Sequence, residues 1–232
     1  MRIDAAAVLL YIGGMMSKDT PTDLDLLLDA ALVHAAYEGW SDAMLREAAE
    51  DAGVSEEATL LAAPRGVLDV IAHWSLRLDE AMLARMEAAD LASMKIRDRV
   101  TLGVQARLEA IGRHEEAARR ARARLMLHDA GSLGPELIWA TSDKIWRALK
   151  DPSTDFNWYS KRTILSAVYT SSLAAWLNDE NPDKAKAKAF LDRRIQNVME
   201  FEKAKAGFQK MTKDWPDPAE VLAGLRYGRS RR

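Results

Sequence analysis

At 232 residues, with 48% apolar and 29% charged positions, the chain has the balance of a globular protein that can bury a sizeable core. A formal net charge of −2 excludes a uniformly basic nucleic-acid binder, and the lack of cysteine excludes disulfides and thiolate metal sites and fits a reducing compartment. Seven tryptophans against four phenylalanines point to surfaces where an apolar body meets a polar edge, as at interfaces and membranes.

Residues 1–20 read as an N-terminal extension, with Met15 or Met16 as the natural start. The apolar run from Ala5 to Met16 is too short to span a bilayer and ends without a small-residue cleavage site. After Pro21, the residues Leu24, Leu27, Leu28, Ala31, Leu32 and Ala35 recur at helical spacing and stop at Gly39. Ser41 is placed to cap a second helix, closed by Gly53, and Ser55 a short third helix ended by Pro64. A long helix is predicted from Gly66 to about Asp90. The next carries Ile96, Val100, Val104, Leu108 and Ile111 and ends at Gly112. From His114 to His128 the acids Glu115 and Glu116 precede four arginines, the order a helix dipole favours. Further helices are expected at 136–149, 155–178 and 183–206, with a last amphipathic piece after Pro218. No alternating strand pattern occurs, so the expectation is an all-α fold of nine or ten helices.

The segment LLDAALVHAAYEGWSDAMLREAAEDAGVS, Leu27 to Ser55, resembles the N-terminal head of TetR-type regulators. Such a head implies a helix-turn-helix over residues 21–64, followed by a helical body over 65–207 and a basic tail over 208–232. The charge is wrong for DNA. Between Thr22 and Pro64 ten acids face one base, Arg46, a local −9. Phosphate contacts supply most non-specific affinity, and each needs a basic side chain or a backbone donor. The helix-turn-helix is therefore read as degenerate.

STDFNWYSKRTILSAVYTSSLAAWLND, from Ser153, and FLDRRIQNVMEFEKAKA, from Phe190, resemble the ubiquinone (coenzyme Q) biosynthesis accessory family, whose members are TetR-like lipid binders. Without a transit peptide, the resemblance is to a bacterial member, in the cytoplasm and peripheral on the inner membrane. It implies that the protein is not an enzyme, needs no cofactor, holds an isoprenoid quinone intermediate and presents it to demethoxyubiquinone hydroxylase. Asp155, Trp158 and Tyr159 match the family's partner-contact motif, and Ile145 falls where that patch continues. TetR-type regulators pair through their last two long helices, which implies a homodimer through 155–178 and 183–206. The rival reading is a ligand-responsive transcription regulator with an unusual head.

The residues read alone agree in part. On a helical wheel Trp158, Leu165, Tyr169 and Trp176 form one stripe, nearly opposite Phe156, Ala167 and Ala174, so the helix has two apolar faces to cover. Asp155, Lys161 and Arg162 suggest that its start reaches solvent. Trp74, Leu78, Leu125, Leu137 and Trp139 are expected from their apolar helical positions to line a lipid cavity. Catalytic chemistry finds no support. His34, His73, His114 and His128 lie in no Glu-x-x-His or His-Glu-x-x-His pair, no P-loop or nucleophile elbow occurs, and no metal site is expected. A lone histidine such as His73 is more often a satisfied core or rim residue than a ligand. Glu115 and Glu116 are explained by helix capping. The stretch from Asp183 to Lys213 carries nine bases and four acids, a local +5 that includes Lys184. The tail adds Trp215, Leu222, Leu225, Arg226 and Arg229, an apolar and basic combination suited to a headgroup layer.

The head's charge predicts no binding to duplex DNA at physiological salt. Fluorescence anisotropy with mixed-sequence DNA should stay flat through the micromolar range, and sub-micromolar, salt-sensitive binding would overturn the reading.

Overall fold

The computed structural model describes residues 21–212, and side chains over 21–200 apart from Asp155. Nine α-helices follow one another with no strand among the described residues: α1 (Asp23–Glu38), α2 (Asp42–Ala52), α3 (Glu56–Ala62), α4 (Val67–Glu87), α5 (Ile96–Glu109), α6 (Glu115–Arg124), α7 (Leu133–Ala148), α8 (Asp155–Asn178) and α9 (Ala185–Thr212). The all-α expectation is met. The extension over 1–20 and the tail residues Trp215, Leu222, Leu225, Arg226 and Arg229 lie outside the described residues.

The head is built by local chemistry. Thr22 and Asp25 form a reciprocal capping box at the start of α1. The side chains of Ser41 and Ser55 accept from Met44 N and Ala58 N at the starts of α2 and α3. Gly53 closes α2 in the left-handed conformation, φ 68°, which glycine adopts without steric cost.

Head and body share one core. Leu27, Leu28, Ala31 and Met44 from the head are packed with Val70, Ile71 and Trp74 of α4 and with Ala117 and Ala121 of α6. Trp40 is the hinge pin of this junction: its ring stacks on Trp74 at 5.9 Å, and its indole N–H donates to Ala117 O at 2.9 Å. A polar tie runs alongside. Asp25 of α1 accepts from His73 of α4 at 2.8 Å and from Arg77. His73 is thus a satisfied rim residue.

A second core lies under α8 and α9. It contains Met82 and Met86 of α4, Val100 and Val104 of α5, Ile145 of α7, Leu165 and Trp176 of α8, and Leu191 and Ile195 of α9. Gly103 lets α5 approach α7 closely, since a Cβ there would lie 3.1 Å from Ile145 Cγ2 and 3.2 Å from Met86 Sδ. Ile145 itself is 0% exposed. It cannot belong to a partner-contact patch, because the turn of α7 that carries it faces Gly103.

The α8–α9 corner explains other departures. Lys184, counted above with a basic membrane face, is 8% exposed. Its ammonium donates to Glu115 and to Asp179 O, both at 2.6 Å, tying α9 to α6. Glu115 is therefore an ion-pair partner, and Glu116 holds Arg119 and Arg120; neither makes a side-chain cap for α6. Asp179 accepts the Ala187 N–H at 2.9 Å and caps α9 from outside, and that contact, chief among several, holds its carboxyl below the usual range.

Burial alone would raise the Asp25 carboxyl. The hydrogen bonds from His73, Thr22 and Arg77 outweigh it and hold the group well below the usual carboxylate range. A depressed carboxylate contributes stability above its unfolded pKa and loses it as pH falls through the folded one. Asp25→Asn should therefore cost about 1–2 kcal/mol at pH 7. The gap to wild type should close as pH drops below about 4, followed by urea unfolding at stepped pH. A gap independent of pH would contradict the ion-pair account.

Candidate functional site

Helices α4 to α8 enclose a cavity of about 350 Å³. Its walls are apolar: Ile71, Trp74 and Leu78 from α4, Ile111 beyond α5, Leu125 after α6, Leu137 and Ile138 from α7, and Leu173 from α8. Exposed lining residues, Arg122, Met126, Pro135 and Thr170, mark its mouth. Four of the five predicted lining residues, Trp74, Leu78, Leu125 and Leu137, meet here. Trp139 does not. It sits between Ile138 and Thr141 in the chain but on another side of α7, and it lies against Trp158 and Tyr159.

The inner wall carries a buried polar cluster that the sequence reading missed. Asp79 of α4, 2% exposed, accepts from Arg107 Nε of α5 at 2.6 Å, Thr141 Oγ1 of α7 at 2.8 Å and Lys144 Nζ at 2.9 Å. Arg107 Nη2 donates to Ser75 Oγ at 3.0 Å, and the guanidinium carbon lies 5.7 Å from the Tyr169 ring centroid. Nη1 makes no hydrogen bond among the described residues, and Arg107, Thr141 and Tyr169 all line the cavity. Burial, the largest influence, pushes the Tyr169 phenol up, so it stays protonated at neutral pH. The cluster can thus offer donors to an oxygen-bearing ligand head in an apolar chamber. A signal for it exists in the sequence. Arg107 sits on the stripe of Val104, Leu108 and Ile111, and Asp79 on that of Trp74, Leu78 and Met82; a charge on an apolar stripe needs a partner.

A second feature is aromatic and faces outward. Trp139, Trp158 and Tyr159 lie within 6.4 Å of one another by ring centroids, with Tyr159 60% and Phe156 75% exposed. The wheel stripe Leu165, Tyr169 and Trp176 is buried, and Phe156 and Ala167 form the outer side. Asp155 opens α8; its side chain lies outside the described residues. Arg162, expected to reach solvent, is 2% exposed. It donates to Asp143 at 2.6 Å, and its guanidinium lies 3.8 Å from the Trp158 ring centroid. The charge near the start of α8 is turned inward to hold the tryptophan in place.

His34, Glu38 and Glu47 gather on the outside of the head. His34 is already bonded to Asp51 at 2.7 Å, the main reason its pKa is raised.

The comparisons point to similar proteins. A profile of the COQ9 family matches residues 132–202, which span α7, α8 and much of α9. The mitochondrial ubiquinone biosynthesis protein COQ9 of Rattus norvegicus is 28% identical over 75% of this chain and 57% of its own length. That of Homo sapiens is 26% identical over 81% and 62%. The chain is similar to COQ9 in sequence. It spans about three fifths of the length of these relatives, which are mitochondrial by name, in contrast to the bacterial setting expected above. A TetR transcriptional regulator from Nitrosomonas europaea superposes with a TM-score of 0.61 at 20% identity, over 75% of this chain and 95% of that one. This establishes the TetR-like fold. No helix among the described residues is long and apolar enough to cross a membrane.

Removing one partner of a buried ion pair leaves an uncompensated charge. Arg107→Met should therefore cost about 3 kcal/mol of stability. Arg107→Met combined with Asp79→Leu should recover most of it, because Lys144 is partly exposed and can rehydrate. Urea unfolding of both variants checks this; equal losses would contradict it.

Proposed function

We propose that the chain is a non-catalytic accessory protein of ubiquinone biosynthesis that holds a polyprenyl quinone intermediate in the α4–α8 cavity. The observation that carries the reading is the pairing of apolar walls with one buried donor cluster at Arg107. Its relatives' names supply the pathway. A prenyl chain in water exposes apolar area worth about 25 cal/mol per Å², so a chamber lined by Trp74, Leu78, Leu125 and Leu137 lowers the cost of drawing it from a bilayer. The ring oxygens then accept from Arg107.

Presentation follows from the second feature. The exposed rings of Phe156 and Tyr159, with Trp158 and Trp139 beside them, are of the types that dominate interface energies. We infer that Asp155, Trp158 and Tyr159 dock demethoxyubiquinone hydroxylase, that the protein works as a homodimer at the membrane surface, and that the tail from Trp215 to Arg229 reaches the lipid. Native mass spectrometry of the purified protein, with extraction of bound lipid, tests the ligand. A prenylated quinone precursor is expected in wild type and a reduced load in Leu137→Trp, which fills the cavity. Protein purified free of lipid that takes up no prenylquinone would overturn it.

The aromatic patch generates its own prediction. Tyr159→Ala should leave the melting temperature within a few degrees of wild type, since the ring is mostly exposed. It should weaken pull-down of the hydroxylase about thirtyfold, the effect of losing roughly 2 kcal/mol at a hot spot. Trp158→Ala should cost stability too, because it also abandons Arg162. Unchanged pull-down by Tyr159→Ala would remove the patch from the interface.

A further inference from the structure

A second cavity, about 620 Å³, lies between α5, the α7–α8 corner, α8 and α9. It shares no lining residue with the first. Val100, Trp146, Ile164, Val168, Ile195 and Val198 give it an apolar interior within the size range of about 300–1,000 Å³ typical of ligand sites. Its border is basic: Arg97, Arg99, Lys150 and Lys161 against one acid, Asp151. Lys161 is committed to Asp151 at 2.6 Å, and Arg99 Nε donates to Met94 O at 2.9 Å. Arg97 and Lys150 have no carboxylate partner among the described residues.

Lys150 is positioned by the end of α7. Its φ is +53°, in the left-handed region where a non-glycine residue costs energy and glycine would not. That conformation ends α7, with Lys150 N donating to Arg147 O at 2.9 Å and Asp151 N to Trp146 O at 3.1 Å, and it places the lysine at the cavity's border.

We propose that this cavity binds an anionic single-chain amphiphile, its chain among Val100, Ile164, Val168 and Ile195 and its carboxylate or phosphate between Arg97 and Lys150. An apolar interior alone would accept any lipid. Two uncommitted cations at its edge select a negative head, because a charge-assisted hydrogen bond is roughly twice as strong as a neutral one. The site stands apart from the quinone reading above and survives its failure.

Trp146 lines this cavity and Trp74 the other, so contact quenching by bromine can tell them apart. Dibrominated stearate titrated into the full chain should quench tryptophan fluorescence saturably. Trp146→Phe should remove much of that quenching, and Trp74→Phe should keep it. Arg97→Glu with Lys150→Glu should weaken binding at least tenfold, and Arg97→Gln with Lys150→Gln by less. Brominated stearyl alcohol should bind wild type and both double variants equally. Competition by oleate and by lysophosphatidate then ranks the two head groups. The proposal is overturned if quenching persists in Trp146→Phe and vanishes in Trp74→Phe, if charge reversal leaves binding unchanged, or if no quenching occurs. The last result is also expected if the chain's own residues fill the cavity.

Discussion

Asp79 is the point on which the body turns. Its carboxylate draws Arg107 from α5 and Thr141 and Lys144 from α7 onto one site of α4. A buried ion pair contributes little net stability, because desolvation offsets much of the attraction. What it contributes is arrangement. Three helices that could slide on apolar contacts alone are fixed in rotation and height, and the chamber between them keeps its walls. The cost of leaving any member unpaired is high, so the cluster defines one packing against its neighbours.

The head keeps the geometry of a helix-turn-helix and spends its charge differently. Asp25 points to α4 and Asp51 to His34, while Trp40 seals the head to the body. The exposed side of α3 presents Glu56, Glu57, Leu60 and Leu61, none of which can meet a phosphate. A motif whose original surface has no basic residue can persist because its core is continuous with that of the body. A fold of this kind does not by itself give an activity.

Much of this architecture was legible in the residues. Gly39, Ser41, Gly53, Ser55 and Pro64 mark the head's boundaries because caps and turns are local chemistry, decided within four residues. The apolar stripes of α4 and α7 and the end of α6 likewise point Trp74, Leu78, Leu137 and Leu125 toward a common interior. Ile145, Trp139, Arg162 and Lys184 were misplaced for a shared reason. A wheel gives the angle of a side chain and says nothing of what stands opposite. Ile145 meets a glycine, which admits a neighbour's backbone; Arg162 and Lys184 meet carboxylates from Asp143 and Glu115, many residues away in the chain. Long-range pairing of charge is invisible until the helices are placed, so the polar cluster around Asp79 escaped as well.

The corner between α8 and α9 has a mechanical meaning. Lys184, in the left-handed region at φ 54°, clamps the first turn of α9 to Glu115 and to the end of α8. From that clamp α9 runs 28 residues, about 42 Å at 1.5 Å per residue. Beyond the clamp, Ala187, Leu191 and Ile195 seat the first half of the rod in the core against α5 and α8, so it is held along that length as well as at its start. Ile195 and Val198 ride well along this rod and form one wall of the larger chamber. The lysine-centred joint and the buried side chains of Leu191 and Ile195 together therefore set where that wall stands.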